Sequence, residues 1–152
     1  MSKAYRPCVI AVILNEDHKV LVGERADRQN AWQLPQGGID PGENPELALF
    51  RELREEIGTD KLTVINSITE TISYKFPPNI SGGIFDKYIG QSQRWFLLKL
   101  DPSAKPDLSL SDGEFQALQW MCPDKLTEQI VEWKKESYIK GLSLFGLLKD
   151  RK

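Results

Sequence analysis

The sequence predicts an α/β or α+β fold in which a mixed β-sheet is covered by helices. Three observations carry this prediction. Short runs rich in Val, Ile and aromatic residues recur along the 152 residues, as expected of buried strands. One well-bounded amphipathic helix interrupts these runs, and apolar residues return at helical spacing near the C-terminus. The length and the 40% hydrophobic content suit a single domain over residues 1–152.

The first strands are predicted ahead of that helix. Residues 8–14 form an apolar run, and residues 19–23 follow after a turn at residues 15–17. This pattern indicates a hairpin of buried strands. Residues 32–35 are expected to add a short third strand.

The helix itself is predicted over residues 45–57. Asn44 is a favourable N-cap, Pro45 suits the first helical position, and Gly58 suits a left-handed terminator. The apolar positions that recur four apart and require a core to cover them are Leu49, Leu53 and Ile57.

Three more strands and further helices are predicted after it. Residues 62–74 are rich in Val, Ile and Thr, residues 95–100 are continuously apolar, and residues 115–121 alternate apolar with polar side chains. Pro123 opens another helical stretch, and residues 137–149 continue with apolar residues at helical spacing.

Composition narrows the class of partner. The net charge of −2 argues against a protein that binds nucleic acid through a generic basic surface. Cys8 and Cys122 are interpreted as small core residues of a reducing compartment. No leader peptide and no apolar stretch of membrane-spanning length is recognised, so we expect a cytoplasmic protein that does not enter a membrane.

Residues 103–113 are predicted to form a loop long enough to carry function.

Three acidic residues share one face of the predicted helix. Glu52, Glu55 and Glu56 stand at i, i+3 and i+4, where like charges repel by about 0.2–0.5 kcal/mol per pair. A divalent cation is the natural partner of such a cluster, and carboxylate ligands favour Mg²⁺ or Mn²⁺ over zinc. An ordinary helix with a solvated acidic edge would explain these glutamates, but it would not explain the glycine loop and Glu43 that precede them. The single histidine, His18, lies in a predicted turn and is assigned no catalytic role.

Residues 37–59 resemble the signature box of the Nudix hydrolases. The box reads as Gly, five residues, Glu, seven residues, then Arg-Glu-aliphatic-x-Glu-Glu-x-Gly-aliphatic. The chain matches each polar and glycine position of this pattern from Gly37 to Gly58. Thr59 is the one departure, because the box has an aliphatic residue there.

Four further segments extend the likeness over most of the chain, namely residues 5–7, 32–39, 74–78 and 90–96. They resemble the branch of the family that contains bacterial RNA pyrophosphohydrolases, related invasion-associated proteins and plant diadenosine tetraphosphate hydrolases. This resemblance implies a more specific α/β architecture, an α/β/α sandwich with the mixed β-sheet between helices.

The resemblance also implies a catalytic metal centre on the acidic helix. Two or more Mg²⁺ (or Mn²⁺) ions are expected, held by the carbonyl of Gly37 and by Glu52, Glu55, Glu56 and Glu114. The general base is Glu56 or Glu114, and the sequence does not choose between them. Arg51 is expected to orient a carboxylate, and Glu43 to brace the loop.

Substrate contacts are implied at the remaining motifs. Trp133 is expected to stack on a nucleobase beside Lys134, with a core position in a helix as the alternative for this tryptophan. Arg25 either lies on the opposite side of the stacked base from Trp133 or forms a surface salt bridge. The other implied substrate-binding residues are Arg6, Tyr74, Lys75, Gln91 and Gln93.

Together the resemblance and the residues predict a nucleoside polyphosphate hydrolase. The substrate is either 5′-triphosphorylated RNA, from which pyrophosphate is removed, or diadenosine tetraphosphate, which is cleaved to ATP and AMP. The Pro77-Pro78 pair and the length of the loop over residues 25–32 favour the dinucleotide slightly. A house-cleaning pyrophosphatase for damaged nucleotides would share the box but not the flanking motifs. A catalytically silent nucleotide-binding module would be expected to lose one of the three helical glutamates, and the oligomeric state is left open.

Overall fold

The computed structural model describes residues 3–149 of the chain. The strands in these residues are β1 (Tyr5–Ile13), β2 (Val20–Arg25), β3 (Trp32–Gln33), β4 (Gln36–Gly38), β5 (Leu62–Ser67), β6 (Ile72–Lys75), β7 (Gly90–Leu100) and β8 (Phe115–Met121). The helices are α1 (Pro45–Ile57), α2 (Ile84–Lys87), α3 (Pro123–Gln129) and α4 (Glu132–Leu144), with a 3₁₀ turn at Leu108–Leu110.

A five-stranded mixed sheet forms the centre of the molecule. Its order is β4-β1-β7-β5, and β6 also pairs with β7. β1 and β7 run parallel, from Tyr5 beside Gly90 to Ile13 beside Leu98. The other pairings in this sheet, made by β4, β5 and β6, are antiparallel. β7 is therefore the strand that the rest of the sheet is built around.

Helices cover this sheet on both faces. Successive residues of a strand point to opposite sides, so each strand of the centre contributes to two cores. Val9 and Phe96 pack in the cluster formed with α1, whereas Ile10 and Trp95 pack in the cluster formed with α3 and α4. The predicted α/β/α sandwich with a mixed sheet between helices is confirmed.

A smaller sheet replaces the predicted hairpin. β2 lies between β3 and β8 in a separate three-stranded sheet, and a single bridge between Leu14 and Val20 joins it to the end of β1. β7 pairs along one edge of β1, and β4 pairs with the other edge over Cys8–Ile10. The antiparallel contact between residues 8–14 and 19–23 is limited to the Leu14–Val20 bridge, so the prediction of a hairpin is correct for its turn and wrong for the pairing of its strands.

Two predicted strands have different bounds in the structure. Residues 62–74 form β5 and β6 with a break at residues 68–71, because the two segments pair with successive parts of β7. β7 begins at Gly90 rather than at residue 95, because its parallel pairing with β1 extends back to that residue.

The helices follow local signals closely at their N-termini. α1 has the predicted bounds: the Asn44 side chain accepts a hydrogen bond from the Leu47 N–H at 2.9 Å, and Gly58 ends the helix with φ of 75°. α3 begins at Pro123 as predicted. The predicted helix over residues 137–149 is α4, but it lies earlier in the chain and includes Trp133 in its first turn.

The two cysteines have different environments. Cys8 is buried in the sheet, whereas Cys122 is exposed, so the interpretation of both as core residues is wrong for Cys122. His18 is exposed in its turn, with φ of 59°. Among the helices described in residues 3–149, none combines the length and the apolar character that a membrane crossing requires.

Candidate active site

A cavity of about 590 Å³ joins the acidic face of α1 to an aromatic wall. The acidic residues that line it are Asp27, Glu52, Glu55, Glu56 and Glu114. The basic and aromatic residues that line it are Arg6, Arg25, Lys134, Tyr74, Phe76, Phe85, Phe115 and Trp133. The predicted metal ligands and most of the predicted substrate-binding residues therefore share one cavity.

Gly37 in β4 lies directly against Glu52 of α1. A Cβ at position 37 would overlap the Glu52 carboxylate, so a larger residue there would displace that carboxylate. Burial, opposed by the hydrogen bond from Arg51 and assisted by the charges of Glu55 and Glu114, raises the pKa of Glu52 to about 7. The site thus holds a carboxylate whose negative charge is poorly stabilised by the protein alone.

Glu56 is almost fully buried, with 1% of its surface exposed. Its Oε1 accepts a hydrogen bond from the Gln36 backbone N–H at 2.8 Å. Burial, and next the neighbouring charge of Glu114, raises the pKa of Glu56 well above its ordinary value. Glu56 is therefore a buried carboxyl group that takes up a proton more readily than an exposed glutamate does.

Glu114 reaches the cavity at the end of the loop over residues 103–113. The Asp112 backbone N–H donates to the carbonyl of Glu55 at 2.6 Å, satisfying an acceptor in the last turn of α1, where carbonyls lack helical partners. The Ala26 N–H donates to the carbonyl of Glu114 at 2.9 Å. These two backbone contacts fix the loop between α1 and the end of β2, so Glu114 faces the helical glutamates.

Arg51 is the centre of an ion-pair network behind the acidic cluster. Its guanidinium donates two hydrogen bonds to Glu43, both at 2.9 Å, and these hydrogen bonds lower the pKa of Glu43 to about 2. It also donates to the carbonyl of Gly38 at 2.8 Å and to Glu52 at 2.8 Å, and it lies 3.5 Å from Glu55. Arg51 thereby connects α1, β4 and the loop between them.

The donor set suits a hard divalent cation. The candidate ligands are all oxygen atoms, those of Glu52, Glu55, Glu56 and Glu114 and the carbonyl of Gly37, which is the ligand chemistry of Mg²⁺. The raised pKa values of Glu52 and Glu56 reflect burial and mutual repulsion that a cation would relieve. Within residues 3–149, no three Asp, Glu, His or Cys side chains converge into a ready metal site.

Trp133 belongs to the aromatic wall of the cavity. Its ring centroid lies 5.5 Å from that of Tyr74, 5.9 Å from that of Phe76 and 6.4 Å from that of Phe85. Lys134 Nζ lies 5.2 Å from the same centroid. The tryptophan is half-buried and lines the cavity, so the alternative of a fully buried core position does not hold.

The basic side chains lie on different sides of the cavity. Arg25 lines the cavity and also forms two hydrogen bonds to Asp27, at 2.6 and 2.9 Å. The predicted salt bridge is therefore present, and the position of Arg25 leaves a contact with substrate as a prediction. Arg6 lines the cavity from β1. Lys134 is 6% exposed and donates to Gln33 Oε1 at 3.3 Å. Burial, and next the positive charge of Arg25, lowers the pKa of Lys134 to about 8.

Lys75 and Gln93 lie outside the cavity that contains the other predicted residues. Lys75 is exposed, because successive residues of β6 point to opposite sides and it is Tyr74 that faces the cavity. Gln91 does line the cavity, and its Oε1 accepts a hydrogen bond from the Tyr74 hydroxyl at 2.6 Å. Gln93 is 1% exposed and lies beneath it, hydrogen-bonded to the side chains of Gln36 and Gln91.

Three aromatic residues of the cavity, Phe76, Phe85 and Phe115, were not predicted as site residues from the sequence. Phe76 and Phe85 pack with their ring centroids 4.7 Å apart. Phe76 could have been predicted from the alternation of side chains along β6, because Tyr74 and Phe76 are two residues apart and face the same way. Phe85 lies on the short helix α2, and nothing in the local pattern distinguishes it.

A second cavity, of about 310 Å³, adjoins the first. The two share Arg25, Gln33, Trp133 and Lys134. Arg28 and Trp32 are among the residues that line only the second one. Trp133 therefore stands between two concave spaces that have both positive charge and aromatic surface.

Comparison with known proteins identifies the family. The NUDIX domain model matches residues 4–140. The RNA pyrophosphohydrolase of a Nitratiruptor species is 41% identical over 148 residues, which are 95% of each chain. That of Helicobacter pylori is 39% identical over 149 residues, 95% of this chain and 96% of the other.

Solved structures share the same architecture. A C. elegans Ap4A hydrolase in a binary complex superposes with a TM-score of 0.63 over 91% of this chain and 96% of that chain, at 21% identity. The E. coli dihydroneopterin triphosphate pyrophosphohydrolase gives a TM-score of 0.69 over 91% and 97% of the two chains, at 22% identity. With a matching family model over residues 4–140 and relatives at 39–41% identity, the chain belongs to the NUDIX family and is a Nudix hydrolase.

Proposed function

We propose that this Nudix hydrolase removes pyrophosphate from the 5′ end of triphosphorylated RNA. The observation that carries the proposal is the 39–41% identity, over 95% of the chain, to relatives named RNA pyrophosphohydrolase. The cavity supports it, because an acidic cluster suited to cations and phosphates faces an aromatic wall suited to a base. The net charge of −2 requires that RNA be recognised at its 5′ end rather than along its length.

The proposed division of the cavity follows from its chemistry. Arg6, a planar guanidinium beside β4, suits a phosphate oxygen. Trp133, at the other side, offers a ring face to the first base, and such stacking contributes about 1–3 kcal/mol whatever the base. Tyr74 and Gln91 lie between them and line the floor. Lys75 faces solvent, so we propose no substrate contact for it.

The proposed metal centre uses the carboxylates of α1 and the loop. Nudix hydrolases generally use divalent metal ions, and we propose that two or more Mg²⁺ or Mn²⁺ ions are held here by Glu52, Glu55, Glu56, Glu114 and the carbonyl of Gly37. Such ions supply charge neutralisation at the phosphates and acidify the attacking water. Arg51 donates to Oε1 of Glu52 and of Glu55, which leaves the second oxygen of each carboxylate available to a cation.

The proton of the attacking water requires an acceptor within the same cluster. The pKa of Glu56 is raised, chiefly by burial and next by the charge of Glu114, and a carboxylate with a raised pKa is a better base near neutral pH than an ordinary one. We therefore propose that one member of this pair is the general base. Arg51 and Glu43 take no proton in this scheme and hold the cluster in position.

Diadenosine tetraphosphate is the second candidate substrate. The second cavity, on the far side of Trp133, offers space and positive charge for a further nucleoside. Both RNA and the dinucleotide have a second nucleoside, whereas a damaged mononucleotide does not. The similarity to the C. elegans Ap4A hydrolase, at 21% identity, supports the fold but not the choice of substrate. The identity to the RNA pyrophosphohydrolases therefore reverses the slight preference given by the Pro77-Pro78 pair.

The test compares kcat/KM for a 5′-triphosphorylated RNA oligomer and for diadenosine tetraphosphate in Mg²⁺. The same RNA with a 5′-monophosphate and the Glu56→Gln variant serve as blanks. We expect the RNA to be the better substrate and pyrophosphate to be the product. Faster cleavage of the dinucleotide would indicate a signalling-nucleotide hydrolase. If neither substrate were cleaved, the alternative of a catalytically silent nucleotide-binding module would be favoured.

Two further proposals concern the chain as a whole. We propose that residues 1–152 act as one domain, since both helical layers pack on one central sheet. A cytoplasmic location is proposed from the substrate, since triphosphorylated RNA is made there.

A further inference from the structure

Gln93 lies buried beneath the cavity, in the central strand β7. Its Nε2 donates to Gln36 Oε1 at 2.6 Å and to Gln91 Oε1 at 3.3 Å. Its own Oε1 has no hydrogen-bond partner among the residues that the structure describes. A buried amide with an unpaired carbonyl costs free energy that a leucine of similar size would avoid. This cost points to a role for the two hydrogen bonds that Nε2 donates.

Gln36 connects that amide to the acidic cluster. Its side chain accepts the hydrogen bond from Gln93, while its backbone N–H donates to Glu56 Oε1 at 2.8 Å. The next residue, Gly37, lies against Glu52. A displacement of Gln36 would therefore move a hydrogen-bond donor away from one glutamate and a close backbone contact away from another.

The strand that carries Gln36 is weakly fixed by its own ladder. β4 has three residues, lies at the edge of the sheet and, within the part of the chain that the structure describes, pairs only with β1. The register aligns Cys8 of β1 with Gly38 of β4 on one side and with Gln93 of β7 on the other. The small Cys8 side chain leaves room above β1 for the two glutamines to meet. Their hydrogen bond thus ties the edge strand to the strand two positions away.

We propose that Gln93 is a positioning residue for the hydrolytic site and acts through Gln36. It holds β4 where the Gln36 N–H orients the Glu56 carboxylate, and it does not contact the substrate. The second hydrogen bond, to Gln91, extends the same tie to Tyr74, whose hydroxyl donates to Gln91. This role replaces the direct substrate contact that the resemblance implies for Gln93.

The kinetic test, which rests on the proposed function, uses Gln93→Leu, Gln36→Leu and the double variant. We expect each single variant to lower kcat about tenfold to a hundredfold with KM changed less than about twofold, because small misplacements affect turnover more than binding. The double variant should match the single ones, since both changes break one tie. Thr127→Val is the control, because it removes a buried hydroxyl hydrogen bond in α3, 2.8 Å long, without touching the cavity.

Several kinetic results would overturn the proposal. A raised KM with unchanged kcat would make Gln93 a substrate contact. Losses that multiply in the double variant would show that the two glutamines act independently. An equal loss of kcat in Thr127→Val, at an equal drop in unfolding midpoint, would reduce the effect to general destabilisation. If Gln93→Leu does not fold, Gln36→Leu removes the same hydrogen bond at its half-buried partner, and the kinetic test then uses that variant alone.

A second measurement needs no turnover and separates this proposal from the proposed function. An amide proton bonded to a carboxylate resonates downfield, so the Gln36 N–H reports its hydrogen bond to Glu56 by NMR. In Gln93→Leu we expect this resonance to move upfield and to exchange faster with solvent, while in Thr127→Val it stays in place. An unmoved resonance in Gln93→Leu would refute the proposal even in an active enzyme. A moved resonance in a protein that cleaves neither substrate would support it and refute only the substrate assignment.

Discussion

The glutamates around the cavity are the same amino acid in different chemical states. Glu43 is held ionised by Arg51, with its pKa lowered to about 2. Burial raises the pKa of Glu52 to about 7, and burial with the nearby charge of Glu114 raises the pKa of Glu56 well above its ordinary value. The motif identifies these positions from the sequence, but their states depend on burial and on partners such as the Gln36 N–H, which no spacing rule reveals.

Replacement of Glu56 by glutamine removes a carboxylate and keeps its volume. We expect Glu56→Gln to lower kcat by about 10²–10⁴, because a ligand and a candidate base are lost together. The unfolding midpoint, followed by circular dichroism, should not fall, since a neutral side chain is easier to bury. Glu46→Gln is the matched control, an exposed acid in the first turn of the same helix. Near-normal turnover by Glu56→Gln would refute the acidic-cluster assignment.

Trp133 provides the corresponding test for the base. We expect Trp133→Ala to raise KM for RNA and for the dinucleotide by about tenfold, the equivalent of one lost stacking contact. Hydrolysis of a short inorganic polyphosphate, where it is turned over, should be spared. Trp120→Ala is the control, since Trp120 is 36% exposed on β8 and does not line the cavity. An equal loss on all substrates would return Trp133 to a packing role.

At the scale of elements, local signals predicted what local interactions determine. The bounds of α1 are confirmed because Asn44 and Gly58 cap the helix through contacts within a few residues of it. The hairpin prediction failed because strand pairing is decided at long range: β1 pairs with β7, whose residues lie far along the chain. The break between β5 and β6 has the same origin, since β7 determines it. The position of Gln93 beneath the cavity, rather than in it, also depends on this pairing.

Gly58 tests how firmly the loop over residues 103–113 is attached to α1. Its φ is 75°, and a Cβ there would overlap the carbonyl of Asp107. Gly42 has a similar φ of 79° with open space around it, which makes it the control. We expect Gly42→Ala to reduce the free energy of unfolding by about 1–2 kcal/mol, the cost of a left-handed alanine. Gly58→Ala should cost more, measured by urea unfolding, and equal costs would mean that the loop yields easily.

At the scale of the whole molecule, the fold is a scaffold that gathers distant segments around one cavity. Residues from β1, β4, α1, β6, β7, α4 and the loop before β8 all line it. The resemblance to the Nudix hydrolases predicted which segments meet, because the family shares the fold. Nothing in the residue pattern alone predicted the separate three-stranded sheet or the second cavity, because both depend on how the chain packs.

A cation that binds only the folded protein should stabilise the whole molecule. Since the helical glutamates converge only on folding, we expect Mg²⁺ or Mn²⁺ at about 100 times its Kd to add about 2.7 kcal/mol to the free energy of unfolding. A chelator should reverse the rise in unfolding midpoint. The rise should shrink in Glu52→Gln and persist in Glu46→Gln, and an equal rise in both variants would place the ion elsewhere.

The parallel pairing of β1 with β7 has a consequence for the order of assembly during synthesis. β1 is synthesised well before its partner along one whole edge, which is not made until residues 90–98 have been added. Contacts between residues so far apart are slow to form, and the apolar segment Tyr5–Ile13 lacks this neighbour until then. The central sheet therefore cannot close before β7 has been made, so products that end before β7 should need a chaperone more than products that contain it.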